Sequence, residues 1–246
     1  MRAPHILHNG AVSGVTGSCH QLLMDATNSL LIDCGLFQGA EIYPEGGAGA
    51  GNLTIDISLD GIKALVATHV HIDHVGCIPC LLAIGFKGPI LCSEPSAKLL
   101  PIVLEDAFKL GFSRDQKQVE RYPKLIEQRI VALPYKQWLT LIDTPQLNAR
   151  IRLQRAGHVL GSAYVEVDLH YPETSERKRI VFSGGLGAAH APSCLRQKRP
   201  TKPIFWSSKA RTATVYTKTV AVGVRDWRKC SSMPSATRST GHRHCG

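Results

Sequence analysis

Short apolar runs broken by turn residues open the chain. Over residues 5–35, "HILHNGAVSGVTGSCHQLLMDATNSLLIDCG" alternates apolar stretches with Asn, Gly and Ser. This pattern predicts three short strands, "SCHQLLMD" and "SLLIDCG" being the clearest, joined by a turn at "ATN". Residues 38–60 are Gly-rich, carry no periodicity and read as loop. "IKALVATH" predicts a buried strand, and "HVGCIPCLLAIGF" has the apolar spacing of a helix that ends near Gly85. "GPILCSE" predicts another strand. A helix follows over "SAKLLPIVLEDAFKLGF", bent near Pro101 because proline removes a helical hydrogen bond.

The charged stretch "SRDQKQVERYPKLIEQR" is predicted helical. Strand-like pieces come next: "RIVALPY", "WLTLID", "ARIRLQRAGH", "AYVEVDLHY" and "KRIVFSGGLG". Strands, then a helical middle, then strands again predict an α/β protein of two sheets packed face to face and flanked by helices.

Composition alters this picture little. The 246 residues are 43% hydrophobic and 20% charged, as in ordinary globular chains. No run of about 18 apolar residues occurs, so no membrane span is expected. The N-terminal stretch has no basic segment followed by an apolar core, and a cytoplasmic location is expected. The eight scattered cysteines then read as free thiols in a reducing compartment.

Charge alters it more. The formal charge of +10 suggests a nucleic-acid binder until its distribution is examined. Residues 1–192 hold 17 Lys and Arg against 18 Asp and Glu, whereas residues 193–246 hold 12 Lys and Arg against Asp226 alone. The basic excess belongs to the last 54 residues.

The chemistry concentrates in "ATHVHIDHVG", residues 67–76, which follows a buried strand and holds His69, His71, Asp73 and His74. Imidazole nitrogens and carboxylate oxygens suit a borderline divalent cation such as zinc. An H-x-H pair where a strand opens into a loop can turn both rings toward one ion, and Asp73 and His74 can face a second beside it. Two such ions lower the pKa of a bound water and favour hydrolysis of an ester, amide or phosphodiester.

"THVHIDHVG" resembles the H-x-H-x-D-H motif of the metallo-β-lactamase superfamily. "VTGSCHQL", "LLIDCGLFQG", "GFKGPI", "AGHVLGSAYVEV" and "RIVFSGGLG" resemble, in order, blocks of its β-CASP branch of RNA- and DNA-processing nucleases, over about residues 8–192. The resemblance implies an αββα sandwich, here incomplete, and phosphodiester hydrolysis. It implies one zinc on His69, His71 and His158, a second on Asp73 and His74, and Asp73 as the group that orients or deprotonates the attacking water. Asp33 of "LIDCG" takes a supporting role through hydrogen bonds. The implied substrate is RNA, or else single-stranded DNA.

Two departures qualify that expectation. The related motif reads "FSGDLG", with an aspartate bridging the two metals, but position 185 here is glycine. One tightly held zinc is therefore expected, and impaired cleavage. The second departure begins at Ser193, where resemblance stops and the sequence turns basic and Ser/Thr-rich. Back-translated and read one base out of frame, this tail permits "ADILVIESTYGDR", the strand and acidic motif such nucleases carry next. Residues 1–192 thus read as the N-terminal part of a metallo-β-lactamase domain, and 193–246 as a frameshifted, disordered tail. The terminal "GHRHCG" is not taken as a metal site.

Cys77-Ile-Pro-Cys80 has the spacing of a redox pair or half a zinc site, but no partner pair is evident in the sequence and core packing is expected. Two alternatives remain open for function. One is a non-catalytic protein that binds RNA or a partner, and the other a small-molecule thioester or lactam hydrolase of the same superfamily.

Overall fold

The computed structural model describes residues 4–10, 17–36, 57–107, 109 and 124–187, and the backbone alone of 205–209. Six strands form the first sheet: β1 (His5–His8), β2 (His20–Leu23), β3 (Ser29–Ile32), β4 (Ile62–Val66), β5 (Ile90–Ser93) and β6 (Ile130–Leu133), in that spatial order. The first three pair antiparallel, and β3 to β6 run parallel. The second sheet runs in the order β11-β10-β9-β8-β7. Its strands are β7 (Trp138–Asp143), β8 (Asn148–Arg155), β9 (Ala163–Tyr171), β10 (Glu176–Gly185) and β11 (Phe205–Lys209). Three helices are labelled: α1 (Ile72–Val75), α2 (Ile78–Ala83) and α3 (Glu94–Ala107).

Burial explains the two kinds of strand pattern. β3 and β5, "SLLI" and "ILCS", are buried at every position, because parallel strands are covered on both faces. β8 alternates, sending Ala149, Ile151 and Leu153 inward and Arg150, Arg152 and Gln154 outward. The inward residues of β8, β9 and β10 meet Leu22, Leu30, Ile32, Val66 and Leu91 of the first sheet in one core. On the far face of the first sheet, Leu31, Leu65 and Ile90 meet Ile78, Leu81, Leu100 and Leu104 in a second core. These layers are helix, sheet and sheet, the first three of the expected αββα sandwich. Among the described residues no helix covers the outer face of the second sheet. There Trp138 lies beneath the guanidinium groups of Arg150 and Arg152, 4.7 and 4.4 Å from its ring centroid. Asp168 and Glu166 pair with those arginines.

Two expectations are corrected. The single helix expected across "HVGCIPCLLAIGF" is two helices, broken at Gly76–Cys77 ahead of Pro79 in the first turn of α2. Proline tolerates that position because its missing N–H has no helical partner there. The helix expected from Ser96 begins at Glu94, directly after β5, and continues through the buried Pro101. Beyond residue 192, β11 adds to β10 in parallel, Ile180 opposite Phe205. An open sheet edge carries unpaired peptide groups, and a short extended segment satisfies them whatever its side chains. The rest of the tail, most of the Gly-rich loop and most of the charged stretch after α3 lie outside the described residues.

Where the sheets face each other, the Tyr171 hydroxyl donates to the carbonyl of Met24 at 2.6 Å. Burial, with smaller effects from Asp25 and Glu176, pushes this phenol up to about 12, so it stays a neutral donor. Tyr171→Phe should leave the carbonyl unpaired and lower unfolding stability by about 1–3 kcal/mol. Urea titration monitored by tryptophan fluorescence checks this, and an unchanged midpoint would show that the bond contributes nothing.

Candidate metal centre

β4 ends at Val66, and residues 67–71 run from it into α1. Asp33 stands at the corresponding end of β3, in a left-handed conformation (φ 59°) that turns the chain sharply out of the sheet. Its peptide N–H bonds Val66 O. The following residues lace onto α1, Cys34 N–H to His74 O at 2.8 Å and Leu36 N–H to Ile72 O at 3.1 Å, while Gly35 N–H bonds Ser18 O, ahead of β2, at 2.9 Å. Gly35 is required by this closeness, because a Cβ there would lie 1.8 Å from Asp73 O.

The Asp33 carboxylate, almost wholly buried, is the centre of a hydrogen-bond network. Oδ1 accepts the Thr68 peptide N–H at 2.8 Å. Oδ2 accepts the Thr68 hydroxyl at 3.0 Å, the Ser18 hydroxyl at 3.3 Å and His74 Nδ1–H at 2.6 Å. A carboxylate can only accept, so His74 carries its proton on Nδ1 and presents Nε2 as its ligand nitrogen. The Thr68 hydroxyl gives its one proton to Asp33. It must then accept from His69 Nδ1, 3.0 Å away, which makes Nε2 the ligand nitrogen of His69 as well. One carboxylate therefore sets two imidazole tautomers, His74 directly and His69 through Thr68.

His158 reaches the same place from the second sheet. The loop between β8 and β9 is closed by the Ser162 hydroxyl, which accepts the peptide N–H groups of His158 at 3.0 Å and Val159 at 3.2 Å. It is tied to the first sheet by Ala163 N–H to Thr68 O at 2.8 Å. The hydroxyls of Ser93 and Ser96 both donate to Gly161 O, at 2.6 and 3.0 Å. Gly161 itself has φ +84°, and a Cβ would come 2.4 Å from Ser96 Oγ. Only glycine meets both conditions.

The ligand nitrogens of His69, His71 and His158 all fall within 4.8 Å of one another. The closest approach shown is His71 Nδ1 to His158 Nε2, 3.3 Å. Tetrahedral zinc with bonds of 2.0–2.1 Å holds ligand nitrogens about 3.4 Å apart, so the donor set suits such an ion and the His71–His158 pair already has its spacing. Among the described residues this is the one such set of three or more metal-ligand side chains. Asp73 and His74 lie alongside it. His74 Nε2 is 3.7 Å from Asp73 Oδ2, and the His69 and His74 ring centroids are 4.0 Å apart. All five residues expected as ligands are thus in one neighbourhood, three as a converged triad and two as an adjacent pair.

Residues 15–192 match the metallo-beta-lactamase superfamily. The chain belongs to that superfamily. Among its relatives, the transcription termination factor FttA of Cenarchaeum symbiosum is 33% identical over 181 residues, covering 70% of this chain and 26% of that protein. A ribonuclease of Thermus thermophilus is 32% identical over 181 residues, covering 72% and 37%. Integrator complex subunit 11 of Danio rerio is 26% identical over 236 residues, covering 90% and 35%. The chain spans about a quarter to just over a third of these relatives' lengths.

As a metallo-β-lactamase superfamily member, the chain sits in a group that binds divalent metals, and its histidine triad can hold one. At Gly185 the His158 ring occupies the place a side chain would need: a Cβ there would lie 2.5 Å from His158 Cδ2 and 3.0 Å from Nε2. Thr68 and Ser162, which orient the ligands, are the functional residues that sequence reasoning passed over. Their signals were a hydroxyl immediately before His69 and another four residues after His158.

Two outcomes are expected. Asp33→Ala should weaken metal binding by about 10–100-fold without removing any ligand, which competition against a chromophoric chelator measures. Gly185→Ala should also weaken it, by displacing His158, and should not weaken it further in a His158→Ala background. Undiminished affinity in both single variants would break the link between this geometry and metal binding.

Proposed function

We propose that this chain carries the metal centre of a β-CASP-type RNA-processing nuclease, with one zinc held by His69, His71 and His158. The observation that carries the reading is the convergence of three imidazoles from two sheets onto one point, two of them at tetrahedral spacing. The names of relatives support the substrate class, because a ribonuclease and an Integrator subunit are among them.

Zinc held there would supply Lewis acidity toward water and a phosphate oxygen. The protein's own residues do the rest. Asp33 and Thr68 hold His69 and His74 in one tautomer and so keep the donor nitrogens aimed without reorganisation. Asp73, buried beside His74, is placed to orient the attacking water and accept its proton. With glycine at position 185, no carboxylate from that strand end joins Asp73 and His74, so a second ion is held weakly and phosphodiester cleavage is slow. RNA is the proposed substrate, with single-stranded DNA as its competitor in the test.

The purified chain should contain close to one zinc by elemental analysis, and His69→Ala should abolish it. Two tightly held zincs that survive this replacement would refute the ligand assignment. The zinc-loaded chain should cleave labelled single-stranded RNA slowly, stop on addition of chelator, and leave a chromogenic lactam and a small thioester intact. Turnover of either small substrate, with RNA untouched, would shift the reading to the small-molecule hydrolase. A protein that purifies without zinc and binds RNA without cutting it would be a non-catalytic relative.

We also propose that residues 193–246 are translated out of frame. The alignment with Integrator subunit 11 bears the other way, since covering 90% of this chain requires it to run past residue 192. The nucleotide sequence across this segment, read in three frames, decides between them.

A further inference from the structure

Four cysteines from three segments meet behind the metal motif. Cys19 precedes β2, Cys34 follows β3, and Cys77 and Cys80 flank Ile78-Pro79 at the start of α2. The Cys77 peptide N–H bonds Cys34 O at 2.9 Å, and Cys34 N–H in turn bonds His74 O. Cys19 lies beside Cys34, and Cys77 beside Cys80. Cys19, Cys34 and Cys77 are buried, whereas Cys80 reaches solvent. The partner pair that the sequence did not reveal for Cys77-Ile-Pro-Cys80 is therefore present.

Two chemistries compete for such a cluster, a four-thiolate metal site and a redox pair. A metal needs its ligands gathered at one point, and among the described residues only the histidine triad is gathered closely enough. The thiols instead segregate into pairs, and one pair has a member in contact with solvent.

We propose that Cys77 and Cys80 are a reversible dithiol–disulfide pair, oxidised by hydrogen peroxide, with Cys80 as the attacking thiol. Cys77 caps α2 and Cys80 lies in its first turn, and residues three apart on a helical turn are neighbours with Cβ atoms about 5–6 Å apart. Small rotations about the side-chain bonds then bring the sulfurs to bonding distance. The hydrogen bond from Cys77 holds the Cys80 thiol below its ordinary range, outweighing the opposite effect of burial. That same bond, and then burial, push Cys77 up, so Cys77 keeps its proton and serves as the donor.

The Cys80 thiolate attacks one peroxide oxygen. The O–O bond breaks, hydroxide leaves and takes up the proton that Cys80 released, and Cys80 becomes a sulfenic acid. The Cys77 sulfur then displaces the sulfenic oxygen, which departs with the Cys77 proton as water. Two thiols and one peroxide give one disulfide and two waters. The new bond lies three residues beyond His74, within the backbone lacing that seats that histidine.

Trypsin makes the test simple, because Cys77 and Cys80 share the peptide 64–87 while Cys19 and Cys34 share 3–63. The full chain is treated with peroxide, quenched, alkylated with N-ethylmaleimide, digested and weighed. The expected product is peptide 64–87 with no maleimide and lighter by two hydrogens, returning to two maleimides after dithiothreitol. In Cys80→Ser, Cys77 should stay alkylatable after peroxide. Two maleimides on the peroxide-treated wild-type peptide, or its cross-linking to 3–63, would overturn the proposal. Loss of the Cys77 thiol in Cys80→Ser would overturn the assignment of Cys80 as attacker. The wild-type result stands without the variant, so a failure of Cys80→Ser to fold leaves the pairing itself tested.

Discussion

The buried carboxylate of Asp33 constrains nearly everything at the metal centre. It accepts four hydrogen bonds from Ser18, Thr68 and His74, and through them reaches three separate segments. A buried carboxylate left unpaired costs several kcal/mol, so these donors cannot drift away independently. Because two of them fix imidazole tautomers, the demand for satisfied hydrogen bonds also specifies which nitrogens face the ion. Fold stability and ligand orientation are here one requirement. The left-handed backbone at Asp33 is strained for a non-glycine residue, and it persists because these contacts over-determine it.

The second constraint is closeness of backbone. Segments that follow β3, β4, β5 and β8 approach until no side chain fits between them, as at Gly35 against Asp73 of α1 and Gly161 against Ser96 of α3. The approach sets the distance between the two sheets at their metal-bearing end. His158 crosses that gap because its loop is fastened on both sides, by Ser162 within its own sheet and by Ser93, Ser96 and Thr68 from the other. Three serines and a threonine thus do for His158 what Asp33 does for His69 and His74.

Much of this was legible in the sequence, and the reasons differ by element. The strands were readable because full burial on both faces leaves continuous apolar runs, and the inward face of β8 leaves strict alternation. The candidate ligands were readable because chelation demands particular residue types at fixed spacing. The helix break at Gly76–Cys77 was not, since Pro79 is compatible with helix wherever it occupies a first turn and the apolar spacing runs on across the break. Thr68 was passed over because a threonine before a histidine is ordinary. Its role exists only once Asp33, 35 residues earlier, is beside it. The spacing of Cys77 and Cys80 was legible, but the nearness of Cys19 and Cys34 was not, since these reach Cys77 only through the fold. Position 205–209 carries a different lesson. The out-of-frame reading places a buried strand over these same codons, yet the residues as written also pair with β10. Backbone pairing at a sheet edge tolerates either sequence, so the strand does not discriminate between them.

Gly185 shows why a missing ligand is more than a missing charge. Any side chain at 185 would need its Cβ where the His158 ring now lies. With glycine there, the ring occupies that space and its Nε2 comes to 3.3 Å from His71 Nδ1. The space a Cβ would need is filled by an imidazole of the triad. A side chain introduced at 185 therefore meets that ring first, and the ring has to rotate to admit it. Position 185 is coupled sterically to the triad, in a way that charge counting alone does not reveal.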